Sequence, residues 1–163
     1  MKNPTKIIAE IGKQELFIIR EFEAPRELVF KAFSEPEYLL QWLGPRNLTM
    51  AIDHYESKDG GSWRFLHCSA SGSEYGFHGV MHEVTAPERI IRTFEFEGLP
   101  QRGHVSLETA TFESLKEDRT KLTIHSVFRS VADRDGMIQS GMERGVMDSH
   151  ARLDELFEKV TVK

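Results

Sequence analysis

Between Arg20 and Arg46 the chain reads REFEAPRELVFKAFSEPEYLLQWLGPR, a strand that stops at Ala24-Pro25 and runs straight into two short amphipathic helices. Leu16 to Glu23 alternate, with Leu16, Ile18 and Phe22 on one face and Phe17, Ile19, Glu21 and Glu23 on the other. That is the pattern of a half-buried strand, and Arg20 interrupts its apolar face. Pro25 then opens a helix, because a first turn does not need the N–H that proline lacks. Leu28, Val29, Ala32 and Phe33 give it one apolar stripe. Ser34 is predicted to cap a second helix with Pro36 in its first turn. Tyr38, Leu39, Trp42 and Leu43 form its apolar side, and Gly44-Pro45 stops it.

From Leu48 to Arg129 the period changes to two. Six alternating segments, 48–56, 62–68, 74–84, 90–97, 104–113 and 121–129, are separated by short turn-rich stretches such as Lys58-Asp59-Gly60-Gly61 and Gly98-Leu99-Pro100. Consecutive strands on short loops imply an antiparallel meander. After Ser130 apolar and small residues return every three or four positions, at Ile138, Met142, Gly145, Ser149, Leu153, Leu156 and Val160. One long helix is expected from about Asp133 to Val160, with Ser130 or Asp133 as its N-cap. Seven strands and three helices make an α+β chain, and the long final helix is the element large enough to cover one face of the sheet.

A length of 163 residues fits one domain with a substantial core. Residues 16–163 are taken as that domain, and residues 1–15, which have no clear period, as an N-terminal extension. A net charge of −5 with scattered Lys and Arg gives no attraction for phosphate backbones, so nucleic acid is not an expected partner. A single cysteine, Cys68, excludes an intrachain disulfide, and the start MKNPTKIIAE has no long apolar stretch. No window reaches the roughly 18 apolar residues of a membrane span. A cytoplasmic setting is expected, and no cofactor.

The ordered blocks Glu23-Ala24-Pro25-Arg26-Glu27-Leu28-Val29-Phe30, Gln41-Trp42-Leu43-Gly44-Pro45, Gly60-Gly61-Ser62-Trp63-Arg64-Phe65, Pro87-Glu88-Arg89-Ile90 and Ser140-Gly141-Met142-Glu143-Arg144-Gly145 lie at family-like spacings. With them the chain resembles the activator of Hsp90 ATPase homologue 1-like family of the SRPBCC (START, Bet v 1-like) superfamily, from about Leu16 to Val160. The resemblance implies a helix-grip fold, with a seven-stranded curved antiparallel sheet around a long C-terminal helix, two short helices between its first two strands, and a hydrophobic cavity between sheet and helix. The superfamily includes lipid carriers, hormone receptors and aromatase/cyclases. Many family members have Gly-Trp where this chain has Gly145-Val146.

The residues themselves offer no catalytic constellation. His78 and His82, four apart on a strand, stand about 13 Å from each other, too far to share a metal ion. No metal site is expected. The remaining histidines form no ligand motif, Cys68 reads as a buried inert thiol, and Glu95 and Glu97 read as solvent-facing. Gly141 and Gly145 cost a helix interior about 1 kcal/mol each relative to alanine. Either they pack closely on the sheet, or a void lies beneath positions 141, 145 and 149, with Met137, Met142 and Met147 lining or flanking it. Facing that void, the candidate ligand-binding aromatics are Trp42, Trp63, Phe65, Phe94 and Phe112. His67, His78 and Ser126 are the candidate polar groups, and Met142 and Val146 the candidates on the helix.

Three functions fit the sequence: a binding protein for a hydrophobic or aromatic small molecule, a metal-free cyclase- or hydrolase-like enzyme using the same cavity, and a chaperone-associated interaction module. Monomer and homodimer are both compatible with the sequence.

Overall fold

The computed structural model describes residues 3–161, and its first strand begins at Lys6. The strands are β1 (Lys6–Ile8), β2 (Glu15–Phe22), β3 (Thr49–Tyr55), β4 (Ser62–Cys68), β5 (Glu74–Thr85), β6 (Arg89–Phe96), β7 (Ser106–Leu115) and β8 (Arg119–Val127). The helices are α1 (Arg26–Ser34), α2 (Pro36–Trp42), α3 (Val131–Gln139) and α4 (Met142–Thr161). All eight strands join one antiparallel sheet in the order β1-β2-β8-β7-β6-β5-β4-β3. Strands three to eight are the expected meander. Among the described residues there are eight strands instead of the expected seven, because residues 6–8 pair with β2, Ile7 opposite Ile18.

β2 and β3 lie far apart in this sheet, so α1 and α2 carry the chain across its width. Pro25 occupies the N-cap position of α1. Ser34 does not cap α2: it is the last residue of α1, its hydroxyl donates back to the Phe30 carbonyl at 3.0 Å, and Glu35 is the cap position. α1 drops Phe30 onto Phe112 of β7, with ring centroids 5.1 Å apart. The Trp42 indole N–H donates to the Ala32 carbonyl at 2.9 Å and locks the two helices together.

The expected single C-terminal helix is two helices. Gly141 adopts φ +86, a conformation that side chains with a Cβ avoid, and the chain turns there between α3 and α4. Ser130 caps α3 by accepting the Asp133 N–H at 3.0 Å. α4 buries Leu153, Leu156 and Phe157 in the core, where Phe157 meets Phe22 of β2 edge to face at 5.7 Å.

Arg20, which broke the apolar pattern of β2, points inward and is 1% exposed. Its guanidinium forms two hydrogen bonds to the Asp154 carboxylate, at 2.7 and 3.0 Å, and donates to the carbonyls of Asn3 and His150. The arginine therefore ties β2 to α4. No helix among the described residues is long and apolar enough to cross a membrane.

Candidate ligand cavity

Residues directly opposite in an antiparallel sheet share a face, so the register fixes what looks toward α4. One inner-face row runs Met81, Arg92, Glu108, Ser126 and Leu16 across β5, β6, β7, β8 and β2. Phe65, Phe77 and Phe96 form another across β4, β5 and β6. Between these rows and the helices lies a chamber of about 290 Å³, lined mainly by apolar side chains. It adjoins a wider vestibule of about 1010 Å³, bordered by α3, the Gly141 turn and the loop holding Leu99, Pro100 and Gln101. His67, Phe77, Phe94, Met137, Met142 and Gly145 line both spaces, so the vestibule leads into the chamber.

Seven of the ten sequence candidates meet on this chamber: Phe65, His67, Phe94 and Ser126 from the sheet, Trp42 from α2, and Met142 and Val146 from α4. Met137 joins them, whereas Met147 is not among the lining residues. Three candidates lie elsewhere. Trp63 is 1% exposed and sits beneath the chamber floor, its ring carrying the Arg92 guanidinium at 4.3 Å. Phe112 is enclosed by Phe30 and Phe33 in the core. His78 is on the opposite face of the sheet, level with Arg64, because Phe77 takes the inner position beside Phe65.

On that outer face His78 contacts Glu97 through Nδ1 at 2.9 Å and Glu95 through Nε2 at 3.3 Å. Glu95 is not solvent-facing: it is 9% exposed and accepts the Gly103 N–H at 2.7 Å. Arg64 binds Glu97 and holds that carboxyl below its ordinary value. Cys68 is half-buried rather than enclosed. Among the described residues no group of His, Cys, Asp and Glu is arranged to hold a metal ion.

His67 is the most unusual polar group in the chamber. It is 7% exposed, its ring lies against Phe65 and Phe77, and its Nδ1 has no hydrogen-bond partner among the described residues. Burial, assisted by the Arg152 charge, lowers its pKa to about 4, so the ring is neutral near pH 7. Gly44 makes its position possible: a Cβ there would lie 2.4 Å from the imidazole Cε1, and its φ of +104 also favours glycine. The Gly44 N–H donates to Ser149 Oγ at 2.8 Å, and Arg152 donates to the Gly44 and Gln41 carbonyls, fastening the end of α2 to α4.

The remaining polar groups come from the sheet. Arg92 Nε donates to Glu108 at 3.0 Å and Nη1 to the Tyr55 hydroxyl at 3.1 Å. Burial raises the Tyr55 pKa above 10, so the phenol stays protonated. His150, 3% exposed, bonds Thr5 Oγ1 at 2.8 Å, and burial beside Arg20 drops its pKa to about 3. Arg92, Glu108 and Tyr55 were absent from the sequence candidates. The signal was parity: Arg92 is in phase with Ile90 and Phe94, and Glu108 with Ala110 and Phe112.

Gly145 distinguishes close packing from a void beneath this helix. A Cβ built there would meet only Pro45 Cδ, at 3.9 Å, so the glycine opens onto space instead of packing on the sheet.

The sequence profile described as "Activator of Hsp90 ATPase homolog 1-like protein" matches residues 23–158. Curated protein sequences return no match. Among solved structures, a Rhodobacter sphaeroides protein is similar with a TM-score of 0.86 at 22% identity, over 96% of this chain and 99% of that one. A Chromobacterium violaceum protein gives 0.78 at 25% identity, over 89% and 97%. A Plasmodium falciparum protein described as an HSP90 activator gives 0.51 at 25% identity, over 70% and 72%.

Proposed function

The chain belongs to the activator of Hsp90 ATPase homologue 1-like family, with the α+β helix-grip fold, and we propose that it binds a hydrophobic or aromatic small molecule between the sheet and α4. The observation behind this reading is the apolar chamber with its open vestibule, in which a few polar groups converge on otherwise apolar walls. Small-molecule sites are built this way: apolar burial drives binding at about 25 cal/mol per Å² removed from water, and isolated polar groups set orientation. The unpartnered Nδ1 of His67 supports it further, because a buried polar atom left without a partner is costly unless something supplies one.

An enzyme using the same cavity would need an acid or base tuned near the working pH. His67, with its pKa lowered to about 4, is a weak base at neutral pH and is better suited to hydrogen bonding than to proton abstraction. The chaperone-associated reading draws on the family description and on the Plasmodium HSP90 activator. Native mass spectrometry against lipid and polyketide-like aromatic libraries tests the binding reading. A one-to-one complex displaced by Val146→Trp is expected; failure of every library member to bind would defeat it.

A further inference from the structure

Among the described residues the chamber lining holds one arginine and one carboxylate side chain, and their formal charges cancel. Arg92 and Glu108 are direct cross-strand neighbours, Nε to Oε1 at 3.0 Å, and the guanidinium also lies over the Trp63 and Phe94 rings at 4.3 and 5.9 Å. The other titratable groups on the wall are Tyr55, His67 and His150. Tyr55 stays protonated and both histidines are neutral near pH 7. The lining side chains therefore bring no net charge, and the Arg152 guanidinium, which acts on His67 from outside the lining, is engaged by the Gly44 and Gln41 carbonyls.

An ionised ligand meets this wall badly. Its charge would leave water for a largely apolar space, and the arginine that could compensate is already matched by Glu108, which would repel a second carboxylate. A neutral oxygen fares better. The bonds Arg92 makes use Nε and Nη1, which leaves the Nη2 hydrogens for an incoming acceptor, and His67 Nδ1 awaits a partner. Arg92 and Glu108 face the same chamber as the aromatic rings of Phe65, Phe77 and Phe94, which would hold the body of the molecule.

Resting on the ligand-binding reading, we infer that this site selects uncharged ring compounds bearing a hydroxyl or keto oxygen, and that Glu108 is the residue that excludes carboxylates. The hydroxyl or carbonyl takes a hydrogen bond from Arg92, and no proton or covalent bond is exchanged.

Two matched pairs test this by fluorescence titration of the full chain at neutral pH: naphthylethanol against naphthylacetate, and anthracenemethanol against anthracenecarboxylate. Each alcohol is expected to bind the native protein about tenfold or more tightly than its acid. In Glu108→Gln, which keeps the side-chain shape and can still accept from Arg92, the acid should gain and the preference should shrink about tenfold or reverse. If an acid binds the native protein as well as its alcohol, the charge selection is wrong while the binding reading stands. If the variant leaves the ratio unchanged, Glu108 is not the selecting residue. If none of the four compounds binds saturably, the selection fails, while the binding reading falls only if the lipid and polyketide-like libraries fail as well. The native-protein comparison decides the matter even if the variant folds poorly.

Discussion

Removing the Asp154 carboxylate should unsettle the whole join between sheet and helix. Arg20 has no solvent-exposed side-chain surface, and Asp154 supplies its counter-charge through two hydrogen bonds at 2.7 and 3.0 Å. Truncation of one partner of a fully buried pair costs about 3–5 kcal/mol, chiefly because a charge is left uncompensated. The Asp154 side chain is 31% exposed, so water can reach the gap and the lower end applies, about 3 kcal/mol. A domain of this size loses about 2–4 °C per kcal/mol, which places the Tm of Asp154→Ala roughly 6–12 °C below the native value. The double variant Arg20→Met with Asp154→Leu replaces both charges with apolar groups and should recover most of that loss. Urea titration and thermal melts measure both. A single variant within about 1 kcal/mol of native, or a double variant no better than the single, would refute the argument that an orphaned charge dominates.

Acidification should weaken the fold through its buried histidines. His67 and His150 have folded pKa values of about 4 and about 3, below the ordinary 6.5, so the unfolded chain binds their protons first. Their contribution is fully present above 6.5 and is lost as pH falls toward 4 and 3, amounting to about 3 kcal/mol between about pH 7 and about pH 5. A urea midpoint that stays level across that range would contradict it. Gly44→Ala should cost about 2 kcal/mol, from backbone strain plus the contact with His67, and proton NMR should find the His67 pKa rising toward 6.5 as the ring is displaced. Gly145→Ala should stabilise the protein by about 0.5–1 kcal/mol, because the helix gains and nothing is obstructed. Gly145→Phe, by contrast, should leave the fold intact and weaken binding of naphthylethanol at least several-fold, since the ring would enter the space shared by vestibule and chamber.

The strands were legible because little besides a half-buried strand produces a two-residue period bounded by turns, and the family resemblance came from blocks in a fixed order. The helix break at Gly141 was not: the periodicity of Ile138, Met142 and Gly145 continues across it, and a residue with positive φ leaves no mark on spacing. Trp63 and Phe112 share the inner-face parity of the cavity aromatics, and only three-dimensional layering separates a ring on the wall from one beneath it. His78 differs in kind. Its neighbour Phe77 occupies the inward position opposite Phe65, and a shift of one residue in phase was enough to misplace it. Arg92 and Glu108 do not stand out as lining residues in the sequence because charged residues ordinarily signal the wet side of a strand, and only their mutual register accounts for their place on the dry one.

The pairing of β2 with β8 joins two segments separated by about a hundred residues of intervening chain, Leu16 lying opposite Ser126. Until β8 has been synthesised, β2 presents an unpaired edge along that side, a template for misassembly with other chains. The sheet therefore closes late on the ribosome, and the many distant pairings predict slow folding compared with a helical protein of equal length. A nascent chain halted before Thr120 should accordingly be a substrate for holding chaperones, with no cavity yet formed to receive a ligand.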